Sequence, residues 1–285
     1  MANKNMSIKK VCVTIPVYKP HPDKDEIQSF KQCLSVLGKY DISIFTMESL
    51  DLSEYRKIAD LLSVKLDVKY FAEHFFSSIH GYNKLVRSLA FYEAYSDYEY
   101  ILIYQLDAWV FSDQLTEWCD KGYDYIGAPW CKENAPPSET NPFVRSGNGG
   151  FSLRRTGYFI NILSSNKKLF TPAGIKQKLE RLKTNPPSLK RFARFLGYKT
   201  GFLNHIRAIN NSARLEDWFW IENFANTDTY FPLNIPEPEI SMYFAFEQWA
   251  SYLFEKTSHT LPFGTHAYKK YEYETFWKNH IPDTL

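Results

Sequence analysis

Glu99-Tyr100-Ile101-Leu102-Ile103-Tyr104-Gln105-Leu106-Asp107 is the stretch on which the fold turns. Glu99–Gln105 is mostly apolar and of strand length, and a short run without alternation belongs to a strand buried on both faces. Asp107 then stands just past its carboxyl end. Val11–Val17 reads the same way and runs into a loop through Pro16, Tyr18 and Pro20. Between the two, Asp23-Lys24-Asp25-Glu26 has the form of a capping box. Ile27, Phe30, Leu34 and Leu37 follow at helical spacing, with Gly38 suited to a stop. Ile42–Thr46 is a second strand and Ser53–Leu62 a short helix. Val64, Leu66, Val68 and Tyr70 alternate as a half-exposed strand does, and Tyr82–Tyr95 places Leu85, Val86, Leu89 and Tyr92 on one helical face.

Strands alternating with helices predict an α/β fold built on a mostly parallel, doubly wound central sheet flanked by helices. Such sheets take ligands outside the carboxyl ends of their strands, which directs attention to the loops after Val17 and after Gln105. Beyond Pro129 the alternation fades, and Trp130–Asn141 reads as a polar loop. No repeat divides the chain, so residues 1–285 are expected to form one domain.

Composition narrows the class. A chain of 285 residues with 44% hydrophobic and 23% charged residues is that of a water-soluble globular protein. The 20 Tyr, 22 Phe and 7 Trp serve either cores or the apolar faces of sugars. Met1–Lys10 is polar and basic, so no secretory leader is expected, and Tyr100–Phe111 is too short and too polar to span a bilayer. Cys12, Cys33, Cys119 and Cys131 are scattered, as reduced thiols of a cytoplasmic protein are. The net charge of +2 conceals an asymmetry. Residues 167–214 hold twelve Lys or Arg and one acid, Glu180, a balance of +11, which leaves −9 for the remainder. A basic segment of that strength calls for an anionic partner or a membrane. No nucleic-acid module accompanies it, so no nucleic-acid partner is expected.

Four short stretches carry candidate chemistry. Asp107, at a strand end, is placed either to hold a divalent cation or to cap the next helix. Ser146-Gly147-Asn148-Gly149-Gly150 allows close backbone approach to a ligand, or simply a tight turn. It matches neither a P-loop nor G-x-G-x-x-G, and G-x-S-x-G is absent. Leu215-Glu216-Asp217-Trp218-Phe219-Trp220 sets two carboxylates before aromatic walls. That suits a general base of raised pKa, or an acid pair at a helix N-terminus. His266, in a turn, is a surface histidine or a metal ligand.

In this order the four stretches resemble the glycosyltransferases of the GT-A (Rossmann-like) fold. Within them the chain is similar to a bacterial polysaccharide-synthesis family with Q-x-D, Y-D-[YF]-[IV]-G-A-P and G-N-G-G-[FL]-S-L-R motifs. These stand here as Gln105–Asp107, Tyr123–Pro129 and Gly147–Arg154. The resemblance runs from about Val11 to Tyr268. It implies a nucleotide-sugar half over about 8–130, and an acceptor half over about 131–285 that carries the basic helical insertion 167–214. It also implies transfer of a hexose from a nucleotide-diphosphate sugar, a UDP-hexose, to a glycan or lipid-linked glycan of a surface polysaccharide such as lipopolysaccharide or capsule. Asp217 would be the base of an inverting reaction, with Glu216 positioning acceptor or base. Pro16, Tyr18, Tyr82, Asn83, Arg87, Gln105, Asp107, Gly149 and Gly150 would bind the donor, and Trp130, Trp218 and Trp220 the acceptor. Asp107 and His266 would hold Mn²⁺ or Mg²⁺. Gln105 replaces the first acid of the usual D-x-D, and the alternative register Asp107-Ala108-Trp109 loses the second, so the metal site is reduced. Other readings of the same fold are a retaining enzyme and an inactive glycan-binding scaffold.

The basic segment adds its own expectation. Phe192, Phe195 and Leu196 would share a helical face flanked by Lys190, Arg191, Arg194 and Lys199, in a helix begun by Pro186-Pro187 and ended by Gly197. Residues 176–207 would then lie peripherally on an anionic membrane, at the inner face of the plasma membrane; the equal alternative is a solvated basic insertion over the acceptor site, its apolar residues packed on the core.

Overall fold

The computed structural model describes residues 8–133, 135–183, 188–210, 214–225 and 227–282. Three parallel strands, β1 (Lys9–Pro16), β2 (Asp41–Thr46) and β3 (Leu66–Tyr70), alternate with α1 (Lys24–Leu37) and α2 (Ser53–Leu61). Next come α3 (Ile79–Leu85), α4 (Leu89–Glu93) and β4 (Tyr98–Tyr104), which pairs in parallel on the other side of β1. Two-residue β5 (Trp109–Val110), α5 (Leu115–Asp120), short β6 (Tyr125–Ile126) and the hairpin of β7 (Pro129–Cys131) and β8 (Phe143–Ser146) lead to β9 (Phe151–Arg155). The main sheet has the order β3-β2-β1-β4-β9-β6, with β9 antiparallel to both its neighbours. This is the α/β architecture the alternation predicts. Chain direction leaves β1 toward β2 and returns to its other side as β4, so the topological switch point lies between β1 and β4.

The remainder is helical: α6 (Thr156–Ser164), α7 (Pro172–Lys183), α8 (Leu189–Lys199), α9 (Ile206–Asn210), α10 (Glu216–Phe224), α11 (Pro238–Phe244) and α12 (Ala250–Lys256). Two further short strands, β10 (Ala245–Phe246) and β11 (Gly264–Thr265), join β5 in a small second sheet of order β10-β11-β5. Apolar residues of β1, β2 and β4 fill both sides of the main sheet and those of β9 one, with α1 and α2 on that side and α4, α6 and α10 on the other.

The capping box of α1 forms as read: Glu26 N–H donates to Asp23 Oδ1 and Asp23 N–H to Glu26 Oε2. Gly38 is not left-handed, however. A Cβ there would lie 2.3 Å from Leu34 O and 2.7 Å from Val64 Cγ2, so close packing requires the glycine. The expected helix Tyr82–Tyr95 is two helices. The chain breaks after Leu85, where Ser88 Oγ accepts from Phe91 N–H and starts α4. A local serine cap competes with helix propagation there. The polar loop read over Trp130–Asn141 instead begins in β7, and Asn141 ties its turn together by donating to the carbonyls of Ala135 and Pro136. In the basic segment, α8 starts at Leu189 under a Ser188 cap and runs through Gly197 to Lys199. The chain turns at Gly201, whose φ of +80° lies in the left-handed region. Gly197 gives room to Leu203, whose Cγ would be 2.7 Å from a Cβ. Pro186 and Pro187 lie outside the described residues.

Candidate active site

A cleft of about 640 Å³ opens at the switch point between the carboxyl ends of β1 and β4. Pro16, Tyr18 and Lys19 line it from the first strand, and Gln105 and Asp107 from the second. Tyr82 and Asn83 of α3, the loop Asn148–Gly150, Glu216 and Asp217 of α10, and Glu247 and His266 complete it. Four stretches far apart in sequence therefore meet on one wall. The contact is tight: a Cβ on Gly149 would fall 2.2 Å from Glu216 Oε1, and one on Gly150 2.0 Å from His266 Nε2. The glycines are needed because an acid and an imidazole occupy the space a side chain would take.

The small second sheet builds the His266 corner. β10 and β11 run parallel with Phe246 opposite Thr265, so the next residues, Glu247 and His266, leave the sheet side by side. β11 also pairs with β5, directly after Asp107-Ala108. His266 Nε2 consequently lies 3.1 Å from Gln105 Oε1 and 3.2 Å from Asp107 Oδ1, while Nδ1 lies 3.2 Å from Glu247 Oε1 and 3.1 Å from Asn148 Nδ2. Burial alone would strip the proton from His266, but the Asp107 and Glu247 carboxylates outweigh it and push the imidazole up to about 10. Asp107 is desolvated too, yet the charge of His266 leaves it below its ordinary value.

Once His266 gives up its proton, Nε2, 3.1 Å from Gln105 Oε1 and 3.2 Å from Asp107 Oδ1, can join these two oxygens as donors to a cation. Neighbouring ligands of an octahedral ion bound at about 2.1 Å stand about 3 Å apart. Among the described residues no group of three or more His, Cys, Asp or Glu is arranged to hold a metal. The set therefore fits an ion whose remaining ligands are water and substrate oxygens, the usual habit of Mg²⁺.

The opposite corner belongs to the N-terminus of α10. Its cap residue, Leu215, has no capping side chain. Asn83 Oδ1 supplies the acceptor from 133 residues away, taking the Glu216 N–H at 2.5 Å. Glu216 is buried and pairs with the fully buried Arg154, Nη2 to Oε1 at 2.6 Å. Arg154 also donates to Ser152 Oγ and Tyr92 Oη and lies over the Tyr125 ring. Glu216 Oε2 is buried without a protein partner. Asp217 accepts from Trp218 N–H at 2.7 Å. Burial and then the charge of Glu216 push the Asp217 carboxyl up to about 7, against the pull of that hydrogen bond.

Not every expected residue reaches the cleft. Arg87 is fully buried behind it, with Nε donating to Asn83 O and its guanidinium over the Phe219 ring, so it supports α3 and α10 rather than touching a donor. Trp220 is fully buried with its edge against Phe159, and cannot meet an acceptor. Trp218 and Trp130 stack at 5.0 Å beside Asp217, outside the cleft lining, and Trp218 is 45% exposed. Glu247 was not singled out by sequence, and Asn148 and Arg154 stood within the quoted Gly147–Arg154 motif without a role of their own.

Fold and site together define an α/β protein with a carboxylate- and imidazole-lined cleft at its topological switch point. The chain belongs to the family described as protein of unknown function (DUF5672), whose model matches residues 65–266. Among curated proteins none matches. The chain is similar to three solved structures. The galactosyltransferase LgtC in complex with donor and acceptor sugar analogs is 11% identical, with TM-score 0.48 over 90% of this chain and 86% of that one. The glycosyltransferase GlyE of Streptococcus pneumoniae TIGR4 is 14% identical, with TM-score 0.45 over 91% and 54%. Core-mannan synthase A of Aspergillus fumigatus, in its Mn/GDP form, is 11% identical, with TM-score 0.40 over 76% and 72%. The chain thus spans about half the length of GlyE.

Proposed function

We propose that the protein is a glycosyltransferase that moves a hexose from a nucleotide-diphosphate sugar, a UDP-hexose, to a hydroxyl of a glycan or glycolipid, with inversion. The observation that carries this reading is the pairing across one cleft of a carboxyl poised near neutrality, Asp217, with the Gln105–Asp107–His266 corner. A base is most effective when its pKa lies near the working pH. The Asp217 carboxylate takes the proton of the acceptor hydroxyl as its oxygen bonds the anomeric carbon, and the bond from that carbon to the diphosphate breaks. Glu216, held by Arg154, raises the basicity of Asp217 and offers Oε2 to a sugar hydroxyl. Tyr18 and Tyr82 supply apolar surface to the nucleoside side, and the Trp130–Trp218 stack offers an aromatic platform to the acceptor. Mn²⁺ or Mg²⁺ held by Asp107, His266 and the Gln105 amide oxygen would neutralise the departing diphosphate.

The test is nucleotide release from UDP-, GDP-, dTDP- and CMP-sugars, with glycan acceptors, with and without chelator. Acceptor-stimulated release of one nucleotide is expected. Glycan binding with no release from any donor would leave a scaffold instead, and retained anomeric configuration in the product would remove Asp217 as the base.

A further inference from the structure

The basic segment contains a helix that is inside out. At about 100° per residue, Leu189, Phe192, Ala193 and Leu196 share one face of α8, and Arg191, Arg194 and Tyr198 share the other. The apolar face is the one turned to solvent: Leu189 is 87% exposed, Phe192 56% and Leu196 43%, and α8 buries no residue fully. The cationic face turns inward, where Arg191 and Arg194 are half-buried. Burial, with the charges of Arg181, Arg214, Arg145 and Arg194 added to it, holds Lys178 of α7 down at about 7. Phe202, 68% exposed, follows just beyond the Gly201 turn. Phe195, expected on the outer face, is turned half inward. Lys190 and Lys199 flank the apolar face and are both exposed.

An exposed apolar face of this kind requires a cover. We propose that α8 is a docking face for an anionic membrane surface, entered by Leu189, Phe192 and Leu196, with Lys190 and Lys199 at the headgroups. Charge selects this occupant over a second copy of the chain, because two copies docked by this face would set Lys190 and Lys199 of one against those of the other. Among the described residues no helix is long and apolar enough to cross a membrane, so the contact is a surface one. α7 links this face to the cleft. Lys178 Nζ donates to Glu222 O and Asn223 Oδ1 at the far end of α10, whose first turn carries Glu216 and Asp217. α10 is only about 13 Å long. On the glycosyltransferase reading, on which this clause alone rests, docking would bring the cleft to an acceptor anchored in the bilayer.

The experiment is co-sedimentation of the full chain with phosphatidylcholine vesicles containing increasing phosphatidylglycerol, at low and high salt, without donor. Binding is expected to rise with phosphatidylglycerol. The triple variant Leu189→Ser/Phe192→Ser/Leu196→Ser should lose at least about tenfold in partitioning, from its apolar burial. Lys190→Gln/Lys199→Gln should lose about 25-fold at low salt, about fivefold per charge, and much less at high salt. Both variants change exposed positions, so unchanged melting temperatures are expected and certify the fold. Wild-type protein that ignores phosphatidylglycerol, a triple variant that binds as wild type does, or a concentration-dependent dimer abolished by the triple variant would each overturn the proposal. Nucleotide release is read separately, so an inactive protein that still docks would sink the reaction and not the docking.

Discussion

Asp217→Asn offers two readouts that should move in opposite directions. The change keeps the shape of the side chain and removes both its charge and its ability to take a proton. Turnover should fall by about 10²–10⁴-fold with donor affinity preserved, the usual loss for a general base. The stability effect follows from the same displacement. A carboxyl raised from 3.8 to about 7 is proton-bound in the folded state over a range where the unfolded chain has released the proton. The folded state therefore binds more protons, and stability is lost as pH rises from about 4 to about 7. The full displacement corresponds to about 4 kcal/mol. Asp217 is only partly enclosed at the cleft, and solvent screening reduces the figure to about 2 kcal/mol. The asparagine escapes this penalty. At about pH 8 its melting temperature should exceed that of the wild type by about 4–8 °C, at 2–4 °C per kcal/mol for a chain of this size. At about pH 4 the two should melt together. Turnover and melting curves across pH settle the matter. A variant with more than a tenth of wild-type turnover, or a melting difference that ignores pH, would refute the argument.

Asp107→Ala should weaken donor binding severely, and excess EDTA should lower the wild-type rate; full activity in chelator would take the cation out of the site. Gly150→Ala drives a methyl into His266 Nε2, so donor affinity measured by titration should drop while Gly157→Ala, where nothing lies within 4 Å, leaves it intact. Arg154→Met strands the buried Glu216 charge and should cost about 3–5 kcal/mol in chemical denaturation; a loss below about 1 kcal/mol would contradict a buried ion pair there. Trp218→Ala should raise the acceptor KM about tenfold at a stability cost of only about 1 kcal/mol for the lost stack, whereas Trp220→Ala should cost about 3–5 kcal/mol of stability through the core.

The strands that carry the sheet were legible because a buried strand leaves a continuous apolar run, as Val11–Val17 and Glu99–Gln105 do. Asp107 followed from its place at such a run's end. The Glu216–Asp217 pair was legible as chemistry but not as geometry, since its cap, Asn83, lies on α3. Glu247 left no signal at all: it is aligned with His266 by β10 and β11, and strands of two residues are too short to display a period. The tryptophans show the limit of local reading. Trp218 and Trp220 stand about 200° apart on α10, so they face different surroundings. Which of them meets solvent is decided by Phe159 and the rest of the core. On α8 the helical period grouped apolar and cationic residues on separate faces, but period alone does not say which face packs inward.

The basic segment makes the same point about charge. A balance of +11 over residues 167–214 reads as one patch with one partner, and the fold divides it. Lys178 is buried and donates to Glu222 O and Asn223 Oδ1, so its hydrogen bonds hold the carboxyl end of α10. Arg214 pairs with the Glu222 side chain, holding the same end of the helix. Asn83 holds the opposite end, beside the two acids. Part of the charge thus fixes the helix that presents Glu216 and Asp217 to the cleft. Lys190 and Lys199 face outward beside the apolar side chains of α8, free to meet an anionic surface. One cationic segment thus sets from within the helix that carries Glu216 and Asp217, and α7 stands between that helix and α8.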